Sequence, residues 1–263
     1  MNLLTGTGHQ ISDTLVMTRR NLIRYTRLPR LIFFSSIQPI MFLTLFNFVF
    51  GGAIGATGKV PGGGPYINYL LPGILAQVVL FGAVQTGIGL ADDMGKGIID
   101  RFRSLPMGRG AVMSGRTLAD TVRNFMVIII LVVVGTLYGF RFSNGIYSFL
   151  GMTACMLLFG FAFCWVMAFI GMSVGDPETA QLASFLIIFP LTFASAAFLP
   201  TATMPGWLQV FANHQPVTYA AVSARHFAIG TPANGAVWHL LLWCIGLLAI
   251  FVPLSIWRYR SRT

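Results

Sequence analysis

Apolar positions in this chain gather into six long runs that carry no charged side chain: Leu31–Gly58, Val60–Ala91, Asn124–Phe140, Phe142–Gly175, Thr179–Ala224 and His226–Trp257. Each can hold a helix of ~20 residues, the length that crosses ~30 Å of hydrocarbon. The pattern predicts an all-α polytopic membrane protein, a single transmembrane domain over 1–263. Its six transmembrane helices are expected near 31–50, 69–91, 121–140, 149–174, 182–200 and 236–257. The third run is the shortest, so a full span there must draw in Asp120 or Arg123. These two lie one helical turn apart, placed to pair near the membrane interface. The fifth run is long enough for two helices, but its second half holds Pro200, Pro205, Gly206, Asn213, His214, Gln215 and Pro216. That composition fits extracellular re-entrant helices over 201–235 better than a seventh span.

Composition agrees with the pattern. Charged residues are 9% of the chain and apolar ones 56%, against about 25% charged in soluble domains. The formal net charge of +10 does not mark a nucleic-acid partner, because the basic residues sit between apolar runs and form no basic face on a soluble domain. Fourteen of the 17 Lys and Arg residues fall before residue 31, within 92–123 or after Trp257, and all 7 acidic residues lie on the same side, five in these stretches and Asp176 and Glu178 in the turn between the fourth and fifth spans. Lys59, Arg141 and Arg225 remain for the other side. The positive-inside rule therefore puts both termini and the 92–116 loop in the cytoplasm. No cleavable signal peptide is read at the start, and insertion is expected through the first span.

Three connecting segments carry local signals. Within 11–29, Ile11, Leu15, Leu22 and Tyr25 share one helical face while Arg20, Arg24 and Arg27 lie opposite. This predicts an amphipathic interfacial helix on the inner leaflet; the plainer reading is a topology signal alone. In the cytoplasmic loop, Ile98, Phe102 and Leu105 recur at helical spacing beside Asp100, Arg101 and Arg103, and Pro106 ends the turn. A short amphipathic helix is expected, suited either to a groove on a soluble partner or to lipid headgroups. In Gly175-Asp176-Pro177-Glu178, Asp176 is placed to cap the next helix, Pro177 suits its first position and Glu178 complements its dipole. Partner contact by Asp176 and Glu178 is a second role for the same residues. The outer 199–219 stretch reads either as a lid over an exit path or as anchoring through Trp207 and Tyr219.

Chemistry by the chain itself is not expected. The four histidines are scattered, there is no HExxH, and neither Gly58-Lys59 nor Gly95-Lys96 continues as a Walker A motif. No metal site is read, and Cys155, Cys164 and Cys244 lie in apolar runs without metal-ligand spacing, as core thiols do. Inside the spans the polar residues are neutral: Gln38, Asn47, Gln77 and Gln85. With many of the 23 phenylalanines they are either the lining of a route for an apolar or amphipathic substrate or interhelical contacts and packing. Gly135–Gly139 and Gly171–Gly175 have GxxxG spacing, and Pro39 and Pro190 interrupt helical hydrogen bonding.

The order of these parts, with Arg101-Phe102-Arg103-Ser104-Leu105-Pro106-Met107, Asp176-Pro177-Glu178, Phe189-Pro190-Leu191-Thr192-Phe193-Ala194-Ser195 and Met204-Pro205-Gly206-Trp207-Leu208, resembles the type-2 ABC exporter permeases, and among them the daunorubicin-resistance branch. The resemblance covers essentially the whole chain. It implies a permease in the bacterial cytoplasmic membrane that exports a drug, antibiotic or lipid. It also implies a second permease subunit, the same chain or a close paralogue, and separate cytoplasmic ABC ATPase subunits that bind ATP and Mg. By the same resemblance the loop after the second span is a coupling helix, carried here by Ile98, Asp100, Arg101, Phe102, Arg103 and Leu105. Two further classes share the hydropathy. A polysaccharide or glycolipid exporter would be expected to show aromatic stacking rows and a wider, polar channel, whereas the chain has only 5 Trp and 7 Tyr; a non-transport scaffold would need no docking helix.

Overall fold

A computed structural model describes residues 12–23, 29–56, 64–98 and 110–261. Every regular element among them is helical. Helix α1 covers 12–23. It is followed by α2 (Pro29–Ala56), α3 (Tyr66–Gly95), α4 (Ala111–Leu137), α5 (Gly145–Val174) and α6 (Pro177–Phe193). A 3-10 turn (Thr201–Thr203), α7 (Gly206–His214), α8 (Pro216–Ile229) and α9 (Ala236–Ser261) complete the order.

Among the described residues four helices are long and apolar enough to cross a membrane: Tyr66–Gly95, Ala111–Leu137, Gly145–Val174 and Ala236–Tyr259. Helix α2 holds a shorter apolar stretch, Ser36–Gly52, and α6 has 17 residues. The fold is that of a multi-pass membrane protein, with α3 as its hub. Helices α2, α4, α5, α6 and α8 all pack on α3, and nearly every side chain from Tyr66 to Val84 is buried.

Close approach at the centre depends on two glycines. A Cβ on Gly171 of α5 would run into the Gly87 carbonyl of α3, so the backbones touch where a larger residue would hold them apart. Gly135 similarly lets α4 approach Leu71 at 2.7 Å from a Cβ position. Of the two GxxxG spacings, only the first glycine of each pair lies at a helix contact. Gly175 instead ends α5 in the left-handed region at φ 81°, its N–H donating to the Gly171 carbonyl. Gly139, at φ 98°, has open space around it.

Two elements differ from the pattern's expectation. The helix expected near 182–200 ends at Phe193 because the chain turns at Thr192–Ala194, where Ser195 Oγ donates to the Thr192 carbonyl at 2.6 Å and helix breakers follow. The helix expected near 121–140 begins at Ala111, which puts Asp120 and Arg123 inside a 27-residue helix and away from its end. Twenty-seven residues rise about 40 Å, enough to carry polar lower turns as well as an apolar upper part.

Helix α1 packs on α4 through Met17 and leaves Leu15, on the expected leaflet-facing side, outward. Met17 is buried, whereas Leu15 is 61% exposed. Gly115 of α4 is the cause: a Cβ there would stand 2.5 Å from Met17 Cβ and 3.0 Å from the Thr14 carbonyl oxygen. Thus α1 sits against the gap left by a missing side chain. Ile11, Arg24, Tyr25 and Arg27, which complete the expected amphipathic pattern, lie outside the described residues.

Candidate functional site

Helices α2, α3, α4 and α6 enclose a cavity of about 150 Å³ lined by Gln38, Gln77, Gln85, Arg123, Asn124 and an apolar set that includes Phe42, Phe81 and Phe185. Gln77 is buried, while Gln38 and Gln85 are exposed. Three of the four neutral polar residues singled out from the sequence therefore meet at one place. Asn47 is half-buried on α2 and is absent from that lining.

Phenylalanines continue upward from the cavity. Phe185, Phe189 and Phe193 recur every fourth residue and so share one face of α6. Phe81 packs against Phe185 and Phe189, and the row passes from Phe193 through Phe198 to Phe46 of α2. Successive ring centroids along it are 5.0 to 6.0 Å apart. Phe189 and Phe193 are 44% and 49% exposed, so the row is open along one side.

Below the cavity lies a chain of charges of alternating sign. Arg116 Nη1 donates to Asp93 Oδ2 at 3.0 Å, and its Nε stands 3.9 Å from Asp120 Oδ2. Asp120 Oδ1 in turn is 3.7 Å from Arg123 Nη1, and Thr86 Oγ1 donates to Asp120 Oδ2 at 2.6 Å. Arg123 Nη2 donates to the Gly82 carbonyl at 2.6 Å. Asp120 is fully buried and Arg123 is 7% exposed. Their expected pairing is present, deep between α3 and α4. Glycines on α3 make room for both arginines: a Cβ on Gly89 would overlap the Arg116 guanidinium, and one on Gly82 would stand 3.2 Å from Arg123 Nη2. Gly82 and Gly89 are two helical turns apart, as are Arg116 and Arg123. That matched spacing on consecutive antiparallel helices was a readable signal.

At the opposite end of α3 a buried arginine holds the turn after α6. Arg225 of α8 donates from Nε to the Tyr69 carbonyl at 2.9 Å and from Nη2 to the Ala196 and Ala197 carbonyls at 2.8 and 2.9 Å. Tyr66 and Tyr69 hydroxyls donate to Phe198 and Ala196 carbonyls, and Gln215 Nε2 donates to those of Leu191 and Ala194. A Cβ on Gly73 would overlap the Ala197 carbonyl, so Gly73 is what allows the turn to lie on α3. Sequence reading treated Arg225 only as an outer charge; its burial and its carbonyl partners were missed.

Between α5 and α6 the cap read from the sequence is present. Thr179 N–H and Thr179 Oγ1 both donate to Asp176 Oδ2 at 2.8 Å. These bonds hold the fully exposed Asp176 carboxyl below its ordinary pKa, the backbone donor contributing most. Pro177 occupies the first turn, and Glu178 complements the helix dipole. Of the cytoplasmic-loop residues Ile98 is half-buried just beyond α3; Asp100, Arg101, Phe102, Arg103 and Leu105 lie outside the described residues. Cys164 and Cys244 are buried and Cys155 half-buried, all as free thiols.

Comparison with known sequences decides the family. The sequence model of the ABC-2 type transporter family matches residues 12–228, most of the chain. The chain belongs to the ABC-2 type transporter family. Among similar relatives is the daunorubicin resistance ABC transporter permease protein DrrB1 of Streptomyces coeruleorubidus, 32% identical over 96% of this chain and 87% of that protein. The probable doxorubicin resistance ABC transporter permease protein DrrC of Mycobacterium tuberculosis is 26% identical over 96% of this chain and 90% of its own length. The putative transport permease ycf38 of Cyanophora paradoxa is 24% identical over 82% of this chain and 73% of its own. The match to the ABC-2 type family takes in α1, the cavity, the charge chain and the arginine-held turn, and stops within α8.

Proposed function

We propose that this ABC-2 type permease is the membrane half of a drug exporter, moving hydrophobic or amphipathic compounds outward past the amide-lined cavity and along the phenylalanine row. The observation that carries the reading is the meeting of Gln38, Gln77 and Gln85 at one cavity beneath a row of aromatic rings. Amides orient a polar edge, and stacked rings accept a flat apolar body. Similarity to permeases named for daunorubicin and doxorubicin resistance supports the same substrate class.

In this reading the chain crosses the bacterial cytoplasmic membrane six times, with both termini and the 92–116 loop inside. Helices α7 and α8 cap the outer end between the fifth and sixth spans. The chain pairs with a second copy or a close paralogue along the open side of the phenylalanine row and takes its energy from a separate ABC ATPase that binds ATP and Mg. The ATPase engages Ile98, Asp100, Arg101, Phe102, Arg103 and Leu105, with Asp176 and Glu178 as a second contact. Closing of the ATPases displaces these loops and shifts the subunits toward an outward-open arrangement.

The experiment is reconstitution of the full chain with its neighbouring ATPase in inverted vesicles, reading ATP-dependent quenching of daunorubicin fluorescence. Native chain should retain the ATPase and accumulate the drug. Phe102→Asp should lose both, and Phe185→Ala should retain the ATPase while slowing uptake. A native chain that recruits no ATPase, or uptake unchanged by both substitutions, would overturn the reading.

A further inference from the structure

We propose that a groove between α6 and α9 is a lipid-binding site: it holds one acyl chain of a phospholipid whose headgroup donates a hydrogen bond, from an ammonium or a hydroxyl, to His214 and Gln215. The groove is a cavity of about 480 Å³ that reaches Phe163 and Val166 of α5 and shares no lining residue with the amide-lined cavity. Ile187 and Leu191 form its α6 wall. Each stands two residues beyond Phe185 or Phe189, about 200° round the helix, so the groove and the phenylalanine row lie on opposite sides of α6. The site therefore does not rest on the substrate path proposed above.

Depth selects an acyl chain as the occupant. Trp243, Leu247 and Phe251 form the α9 wall, one every fourth residue, and their stripe runs about 12 Å along the helix axis. That is close to one leaflet, half of the ~30 Å of hydrocarbon. A spanning helix of a partner would need a groove through the full thickness, whereas an acyl chain needs one leaflet. Ile187 and Trp243 are each 41% exposed, so the groove opens sideways between its two walls, where lipid tails lie.

The polar end selects the headgroup. His214 and Gln215 meet at the junction of α7 and α8, and no Lys, Arg, Asp or Glu joins them among the described lining residues. His214 Nδ1 stands 2.8 Å from the Val210 carbonyl. A carbonyl only accepts, so Nδ1 carries the proton and the neutral ring presents Nε2 as an acceptor. Gln215 is 4% exposed, and its Nε2 donates to the Leu191 and Ala194 carbonyls, which fixes the other amide atom as oxygen. That Oε1 is buried and accepts from nothing among the described residues, a costly state for an amide oxygen. Two neighbouring acceptors call for a donor. Apolar walls by themselves give no preference, because lipid tails are as apolar as the walls. Ethanolamine and glycerol headgroups carry N–H or O–H donors, and the methylated nitrogen of choline carries none.

The test places the full chain in nanodiscs doped, at one fixed fraction, with phosphatidylethanolamine, phosphatidylglycerol or phosphatidylcholine bearing the same photoreactive diazirine chain. Mass spectrometry of peptides then maps the label. On α9 around Trp243–Phe251 and on α6 around Ile187–Leu191, a donor-bearing lipid should label about fivefold more than the choline lipid, as one hydrogen bond predicts. On the exposed face of α4 around Val133 all three should label alike. Whichever donor lipid labels more strongly identifies the ammonium or the hydroxyl as the donor. Gln215→Leu should erase the preference; since it also frees two carbonyls, His214→Phe, which changes an exposed ring, serves if Gln215→Leu fails to fold and should reduce the preference. Equal labelling by the three lipids on α9, or a preference unchanged in both variants, would overturn the site. Crosslinks from α9 to a second copy in place of lipid label would give the groove to that copy and overturn it equally. Labelling is read without ATP or drug, so the outcome is separate from that of the exporter reading.

Discussion

The guanidinium of Arg225 lies 3.5 Å above the ring of Tyr69, in a site where its hydrogen bonds go to backbone carbonyls. A cation over an aromatic face is worth ~2 kcal/mol once desolvated. Here it also satisfies acceptors at the turn after α6 that no secondary structure would satisfy. Arg225→Met should therefore destabilise the protein by roughly 2–4 kcal/mol, since each buried polar group left without a partner costs ~1–3 kcal/mol. Tyr69→Phe, losing only the hydroxyl bond to Ala196, should cost about 1 kcal/mol. Thermal unfolding in detergent checks the order; equal midpoints for Arg225→Met and the native chain would show that the turn is held by other contacts.

Glycine contacts predict opposite effects from the same substitution. Gly171→Ala drives a methyl into the Gly87 carbonyl at the tightest approach of α3 and α5. It should cost about 1–3 kcal/mol, as overpacking does. A Cβ on Gly246 of α9 meets nothing within 4 Å, and Gly246→Ala should gain up to about 1 kcal/mol through helix propensity. Unfolding midpoints of the two variants should move to opposite sides of the native value.

The cap on α6 carries a pH dependence of known sign. Hydrogen bonds from Thr179 lower the Asp176 pKa in the folded chain. A group whose folded pKa is depressed contributes stability above its unfolded value, ~3.9 for Asp, and loses it as pH falls through the lower folded value. Asp176→Ala should thus be less stable than the native chain at pH 7. The gap between them should close as the pH is taken from 5 to 2, measured as unfolding midpoints across that range; a gap independent of pH would show that the carboxylate charge is not what caps the helix.

The helices were legible wherever one local rule governs: charge-free runs marked α2 to α6 and α9, and the Asp176-Pro177-Glu178 order marked the start of α6. The meeting of Gln38, Gln77 and Gln85 was only half legible. Polarity inside an apolar run singles these residues out, but their common cavity depends on how α2 and α3 rotate about their axes. Arg225 was not legible as a buried clamp, because counting charges by side says nothing about whether a side chain points to water or to a neighbouring turn. The contact of Met17 with α4 was not legible for the same reason: it depends on the gap at Gly115, a residue of another helix.

Asp120 is the pivot of the buried charges, and its removal tests whether they act as a unit. Fully buried between Arg116 and Arg123 and accepting from Thr86, it compensates both cations. Asp120→Leu leaves Arg123 short of its counter-charge, and loss of one partner of a buried pair costs ~3–5 kcal/mol. Removing the cation as well reverses much of this. In Asp120→Leu/Arg123→Leu the remaining Arg116 keeps its 3.0 Å bond to Asp93, so the remaining charges again cancel. The double variant should be more stable than Asp120→Leu alone, with a coupling of ~1–3 kcal/mol in a double-mutant cycle. Unfolding midpoints of the native chain, the two single variants and the double variant measure the coupling. Additive costs in the cycle would mean that Asp120 stabilises the chain through Thr86 and Arg116 alone and that Arg123 is held by the Gly82 carbonyl.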